Sequence, residues 1–219
     1  MSTAILVDGG FFLKRFRQVY PDIDGRNAQD MAKTFYRMAM AHLEKDEVLY
    51  RILFYDCPPL KKKVHNPVNQ SLIDFEKLPG SQLRVQFHTE LKKLRKVALR
   101  LGYLSNKNDW VIKPDKTKKL LKRATSVDDL KPNDVIYDIN QKGVDMRIGL
   151  DIAALSLKRF VKKIILISGD ADFVPAAKFA RREGIDFVLD PMWNNINPAL
   201  FEHIDGLRST SPRPTGYRP

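Results

Sequence analysis

Two hydrophobic periods alternate along the chain. The unbroken apolar run Ile164–Ile167 lacks polar alternation, which reads as a strand covered on both faces; Ala4–Val7 reads as a buried strand and Ile185–Asp190 as the last one. Val48–Asp56 is a further strand candidate, broken by Cys57-Pro58-Pro59, and Trp110–Pro114 a short edge strand. Between them, apolar residues at three- and four-residue spacing predict helices. One starts at Phe11 and ends before Pro21. A second covers Asn27 to Leu43, with Met31, Phe35, Met38 and His42 on one face. A third is expected from about His88 to Leu101 on the stripe Leu91, Leu94, Val97, Ala98 and Leu101. A fourth runs through Leu157 on Ile148, Ile152 and Leu155, a fifth over Ala176–Gly184 is closed by glycine, and Pro198–Ile204 is a short last one.

This alternation predicts an α/β fold with a mainly parallel sheet and helices on both faces. One domain is expected over 3–205, with an irregular basic insertion at about 60–133. The Ser, Thr, Pro, Gly and Arg that dominate from Arg208 onward predict a flexible basic tail over 206–219.

The strand exits repeat one chemistry. Ala4–Val7 stops at Asp8-Gly9-Gly10, and Ile164–Ile167 stops at Ser168-Gly169-Asp170-Ala171-Asp172. The glycines permit tight turns, and the carboxylates are left at the carboxyl ends of strands, the edge where open α/β sheets bind ligands. Asp145 falls in the first turn of its helix, where free amides favour a carboxylate, and it can join the same edge. Asp151 lies about 240° round the helix from Asp145, which makes it supporting or structural. Asp56 also ends a strand and reads as a turn residue, and His42 as a core or helix-surface residue. Capping of the following helix is the competing account of each strand-end aspartate.

Four carboxylates on one edge repel one another unless a cation neutralises them. Mg²⁺ or Mn²⁺, which prefer oxygen ligands, suit Asp8, Asp145, Asp170 and Asp172. Such ions serve phosphodiester hydrolysis. Ser168 is a candidate hydrogen-bond partner of a carboxylate or phosphate, and Asn194 and Asn197 are candidates to approach from the last loop. Phosphate-loop and esterase motifs are absent, and no Cys/His pattern suggests zinc.

Charge narrows the partner. The 219 residues carry a formal net charge of +12, which attracts polyanions. Lys92, Lys93 and Lys96, displayed away from the expected apolar stripe, and Lys118, Lys119, Lys122 and Arg123 are candidate nucleic-acid contacts, with Phe75, Phe87, Tyr103 and Trp110 interleaved among basic runs. The single cysteine, Cys57, excludes an internal disulfide, and no apolar run reaches 18 residues. Met1–Ala4 leads straight into a strand without the regions of a signal peptide. A cytoplasmic protein that does not enter membranes is expected; its oligomeric state is open, a homodimer included.

Ile5-Leu6-Val7-Asp8-Gly9-Gly10-Phe11, Lys142-Gly143-Val144-Asp145 with Asp151 after it, and Ile167 to Pro175 resemble the three motifs of NYN domains. These belong to the PIN-like nucleases, and the chain looks most similar to the LabA-like branch. The resemblance spans roughly residues 3–205, with the middle insertion least covered. It implies a three-layer α/β/α fold and a magnesium- or manganese-dependent ribonuclease in which Asp8, Asp145, Asp170 and Asp172 hold the metal. Many relatives carry Asn shortly after the first aspartate, where this chain has Phe11 and Phe12, so substrate or water positioning departs from that pattern. A non-catalytic RNA-binding or regulatory module is the competing reading, and DNA is not separable from RNA as substrate.

Overall fold

The computed structural model describes residues 1–23, 27–105 and 109–216. Six parallel strands form the central sheet in the order β12-β11-β10-β1-β2-β5. These are β1 (Ser2–Asp8), β2 (Val48–Asp56), β5 (Val97–Leu101), β10 (Lys163–Ile167), β11 (Asp186–Asp190) and β12 (Gly206–Leu207). Three two-stranded ribbons lie outside it: β3 (Lys63–His65) with β4 (Leu72–Asp74), β6 (Tyr103–Leu104) with β9 (Gln141–Lys142), and β7 (Asp109–Ile112) with β8 (Val135–Asp138). Every residue of β10 is buried, as its unbroken apolar run requires.

Helices cover both faces. Ile5, Val7, Ile52, Phe54, Ile165, Ile167 and Val188 point to one side, under α1 (Gly9–Val19), α2 (Ala28–Met40) and α3 (Pro79–Lys93). Their neighbours in sequence, Ala4, Leu6, Leu53, Tyr55, Ile164, Leu166, Phe187 and Leu189, point to the other, under α5 (Val144–Leu157), α6 (Val174–Arg182) and α7 (Pro198–Phe201). The period-two alternation of strand side chains therefore divides the interior into two cores and gives the three-layer α/β/α architecture.

Three expectations fail. The helix expected over His88–Leu101 is instead the end of α3, a turn, and the edge strand β5, which pairs in parallel with β2. Leu94 is extended and Lys96 sits at φ 62°, so the chain reverses before Val97 although no glycine or proline marks the break. The flexible basic tail expected over 206–219 begins instead with strand β12, beside β11, and stays packed through Ser211; its last three residues, 217–219, lie outside the described residues. Arg208 donates to the carbonyls of Ala41 and His42, Thr210 to that of Met38, and Ser211 is buried while its carbonyl accepts from the Trp193 indole at 2.9 Å. Asp56, expected in a turn, is fully buried.

Candidate metal and nucleic-acid site

Strand parity sorts the aspartates at the sheet's carboxyl edge. Asp56 has the parity of Ile52 and Phe54, and Asp190 that of Val188, so both point under α1–α3. There each has buried partners. Arg84 Nη2 lies 2.8 Å from Asp56 Oδ1, and His88 Nε2 2.8 Å from Oδ2. His42 Nε2 lies 2.9 Å from Asp190 Oδ2, while the Met192 amide donates to Oδ1 at 2.7 Å. His42, in the turn just past α2, is thus a core residue.

Asp8 has the parity of Ala4 and Leu6 and points to the opposite side, toward α5. Ser168 shares that side, and its hydroxyl donates to Asp8 Oδ2 at 3.4 Å. Between β1 and β10 the sheet also changes direction, because β2 and β5 extend one way and β11 and β12 the other. Asp8 and the loop after β10 therefore flank the switch point, where crevices open in such sheets.

The four predicted carboxylates are electrostatic neighbours. Burial, then the charge of Asp145, pushes the Asp8 carboxyl above its ordinary value, against hydrogen bonds from the Phe11 amide and Ser168 that pull it down. Asp145, at the start of α5, is raised by burial and then by Asp170 and Asp172. Among the described residues none of the four has an ion-pair partner, in contrast with Asp56 and Asp190. Two carboxylates also cap: Asp8 accepts the Phe11 amide at 3.1 Å, and Asp170 the Asp172 amide at 3.0 Å. Capping leaves each of these carboxylates with further lone pairs.

The donor set is all oxygen, and the mutual destabilisation of Asp8 and Asp145 is what a hard divalent cation relieves, so these residues fit Mg²⁺ or Mn²⁺ in chemistry and charge. They stand as neighbours, not as a formed coordination sphere: among the described residues no three His, Cys, Asp or Glu side chains gather closely enough to hold an ion. Beside them Met146, Leu150, Phe173 and Pro175 line an open apolar crevice of about 450 Å³ that Asp145 and Asp172 border.

The supporting candidates separate. A Cβ on Gly169 would lie 2.8 Å from Phe11 Cε2 and 3.3 Å from Asn194 Nδ2, so Phe11 and Asn194 both lean over that glycine at the site's rim. Asn194 is brought there by left-handed turns at Met192 (φ 46°) and Trp193 (φ 63°). Arg15 steadies the turn by donating to the Met192 carbonyl at 2.7 Å. Neither Arg15 nor this turn was anticipated, and the sequence carries no glycine to announce it. Asn197, by contrast, caps α7 through the Ala199 amide. Asp151 accepts from Tyr55 Oη at 2.8 Å and from Arg100 Nε at 2.9 Å, which clamps α5 to β2 and β5.

The basic candidates fall on opposite edges. Asp8 is level with Tyr55, and Tyr55 with Arg100, so Lys96 lies about 13 Å of strand below the carboxylates. Lys92 and Lys93 end α3 on that lower side, Lys93 is paired with Glu90 at 2.7 Å, and the Lys96 ammonium is held by the Leu49 carbonyl. The expected solvent-facing row Lys92, Lys93 and Lys96 is therefore not a face of one helix and does not border the acidic edge. Helix α4 (Pro114–Leu121) belongs to the excursion that leaves β5 at its carboxyl end and returns at Gly143, and Lys118, Lys119, Lys122 and Arg123 on it are exposed.

Fold and acidic edge together define a PIN-like α/β domain. The family model for the NYN domain matches residues 70–201, more than half of the chain, and the protein belongs to that family. The matched span contains Asp145, Asp170 and Asp172; Asp8 joins them through the β1–β10 pairing. Among solved structures the chain is similar to a protein of unknown function from Vibrio parahaemolyticus, at 17% identity and a TM-score of 0.46, covering 94% of this chain and 90% of that one. No curated protein matches. Among the described residues no helix is long and apolar enough to cross a membrane.

Proposed function

We propose that the chain is a divalent-metal-dependent ribonuclease that hydrolyses internal RNA phosphodiester bonds in the cytoplasm, with the catalytic unit spanning 3–205. The observation that carries the reading is the set of four carboxylates at the switch point, uncompensated while the other two strand-end aspartates are paired. Membership of a nuclease-like family points the same way.

Asp8, Asp145, Asp170 and Asp172 would hold Mg²⁺ or Mn²⁺, which when bound supplies charge neutralisation at the phosphate and a more acidic water. Ser168 orients the Asp8 carboxylate. The Asn194 amide, above Gly169, offers a hydrogen bond to a phosphate or ribose oxygen crossing the rim. Lys118, Lys119, Lys122 and Arg123 attract the backbone to the same edge.

A binding module without turnover is favoured by one feature, the Phe11 ring over Gly169, which occupies part of the rim. Cleavage of end-labelled single-stranded and hairpin RNA, with matched DNA, separates the two. Cleavage that needs Mn²⁺ or Mg²⁺, stops with EDTA and is lost in Asp170→Asn is the expected result. Salt-sensitive RNA binding with no cleavage under any condition would transfer the assignment to the module.

A further inference from the structure

The four aromatic residues interleaved with the basic runs have different fates. Phe87 is in the core, and Phe75 and Trp110 pack on Tyr137. Tyr103 alone of these four leaves its side chain 59% exposed. It lies two residues past the end of β5, at the carboxyl edge, and pairs with Lys142 across the β6–β9 ribbon. Asp145 follows three residues after Lys142.

Two glycines fix its position. A Cβ on Gly102 would lie 2.6 Å from the Lys142 carbonyl, so the ribbon approaches too closely for any other residue. At Gly143, whose φ is +77°, a Cβ would lie 3.4 Å from Tyr103 Cε1 and 3.8 Å from Cδ1. The ring thus stands over Gly143, at the distance where a side chain there would just meet it. Cys57 Sγ is 3.5 Å from the Tyr103 carbonyl, a third tether. Lys142 faces Tyr103 across the ribbon, and Arg147, whose amide donates to the Gly143 carbonyl and whose charge is felt at Cys57, lies one helical turn further on; both are exposed and, among the described residues, outside any ion pair.

An exposed ring on a tethered backbone, two exposed cations on the same segment and a carboxylate three residues after one of them are the parts of a nucleotide subsite. We infer that Tyr103 is the platform on which an unpaired nucleobase stacks as a strand crosses the acidic edge, with Lys142 and Arg147 on the adjoining phosphates. The inference takes its orientation from the hydrolytic reading above. A base inside a duplex has both faces covered by its neighbours and cannot stack on the ring, so the subsite selects single-stranded RNA or DNA at the acidic edge. Because the backbone that carries the ring is held by the ribbon and by Cys57, little backbone freedom is lost on stacking.

The test uses the full chain in EDTA, where binding is read without turnover. Single-stranded RNA oligonucleotides carrying 2-aminopurine at successive positions are titrated with wild type, Tyr103→Phe and Tyr103→Ala, and a fully paired duplex serves as control. Quenching confined to one or two adjacent positions is expected for wild type and Tyr103→Phe. Tyr103→Ala is expected to lose it and to bind about tenfold more weakly, with an unchanged melting temperature. Equal affinity and quenching in Tyr103→Ala would overturn the platform, as would the same tyrosine-dependent gain on duplex. The nuclease assay, run alongside with Mn²⁺, separates the two ideas. Tyr103-dependent quenching without cleavage keeps the platform and removes the nuclease, and cleavage with Tyr103-independent binding does the reverse.

Discussion

Asp56 and Asp190 end their strands as Asp8 does, yet the first two are sealed under α1–α3 against Arg84, His88 and His42, while Asp8 faces α5 and meets another carboxylate. The residue type and the place on the strand are the same. What differs is parity: one step along a strand moves a side chain from one core to the other. Strand-end carboxylates on the α1–α3 side contribute to structure, and those on the α5–α6 side raise the energy of the fold unless something cationic joins them.

The largest break in this comparison is expected from the paired group. Asp56→Ala strips Arg84 of its buried counter-charge and should cost about 3–5 kcal/mol of unfolding free energy, read by urea denaturation; Asp190→Ala, which leaves the buried His42 ring and the Met192 amide without their acceptor, should cost about 1–3 kcal/mol. Asp8→Asn, without divalent ions at neutral pH, should leave stability unchanged or raise it. An equal loss in both groups would erase the distinction.

Activity should follow the opposite order. Asp8→Asn, Asp145→Asn or Asp170→Asn should each lower metal-dependent cleavage at least ~100-fold, more than loss of a merely supporting partner of a metal ligand. Ser168→Ala, which leaves the four carboxylates in place, should cost about tenfold.

Proton linkage sharpens the contrast. Asp8 and Asp145 hold their protons more tightly in the folded than in the unfolded chain. Their favourable contribution is complete below the ordinary carboxylate value of 3.8 and is lost as pH rises through the elevated folded values. The difference in stability between Asp8→Asn and wild type, measured without metal, should therefore grow in the variant's favour as pH climbs out of the acid range. Mg²⁺ or Mn²⁺ should stabilise wild type on the neutral side of that window and not on the acid side, by roughly 2–4 °C in Tm for each kcal/mol of binding free energy. A Tm that ignores both ions at neutral pH would separate the acidic edge from metal binding.

The smallest effects belong to the basic residues. Lys118→Ala or Lys122→Ala should each reduce the salt dependence of RNA binding by about one unit of slope. Lys92→Ala, the same charge change on the far edge, should leave both slope and cleavage unaltered.

Much of this was legible in the chain. The runs at Ala4–Val7 and Ile164–Ile167 announced the two central strands, and their aspartate exits lie at one edge because parallel pairing requires it. The misread helix has a definite cause. Leu91, Leu94, Val97 and Leu101 keep a helical spacing by coincidence, and the reversal between Leu94 and Lys96 uses a left-handed lysine that no sequence signal marks. The last segment was misread because Ser, Thr and Pro suit both solvent and a docked chain whose hydrogen bonds run through backbone, as at Ser211 and Trp193. Asp56 was readable in principle. Its parity with Ile52 and Phe54 assigns it to a core, and a buried carboxylate requires partners; that those would be Arg84 and His88 depends on where α3 lies.

The β1–β10 pairing has a consequence for the timing of synthesis. Asp8 and Asp170 lie 162 positions apart, and the strand carrying the second is the neighbour of the strand carrying the first. At about 5–20 residues per second, the first aspartate waits roughly 10–30 s for the second to be made. No nascent chain that stops short of Asp172 can hold the acidic set together. The proposed activity is thus silent while the growing polypeptide, still short of Asp172, sits among the RNA of the ribosome.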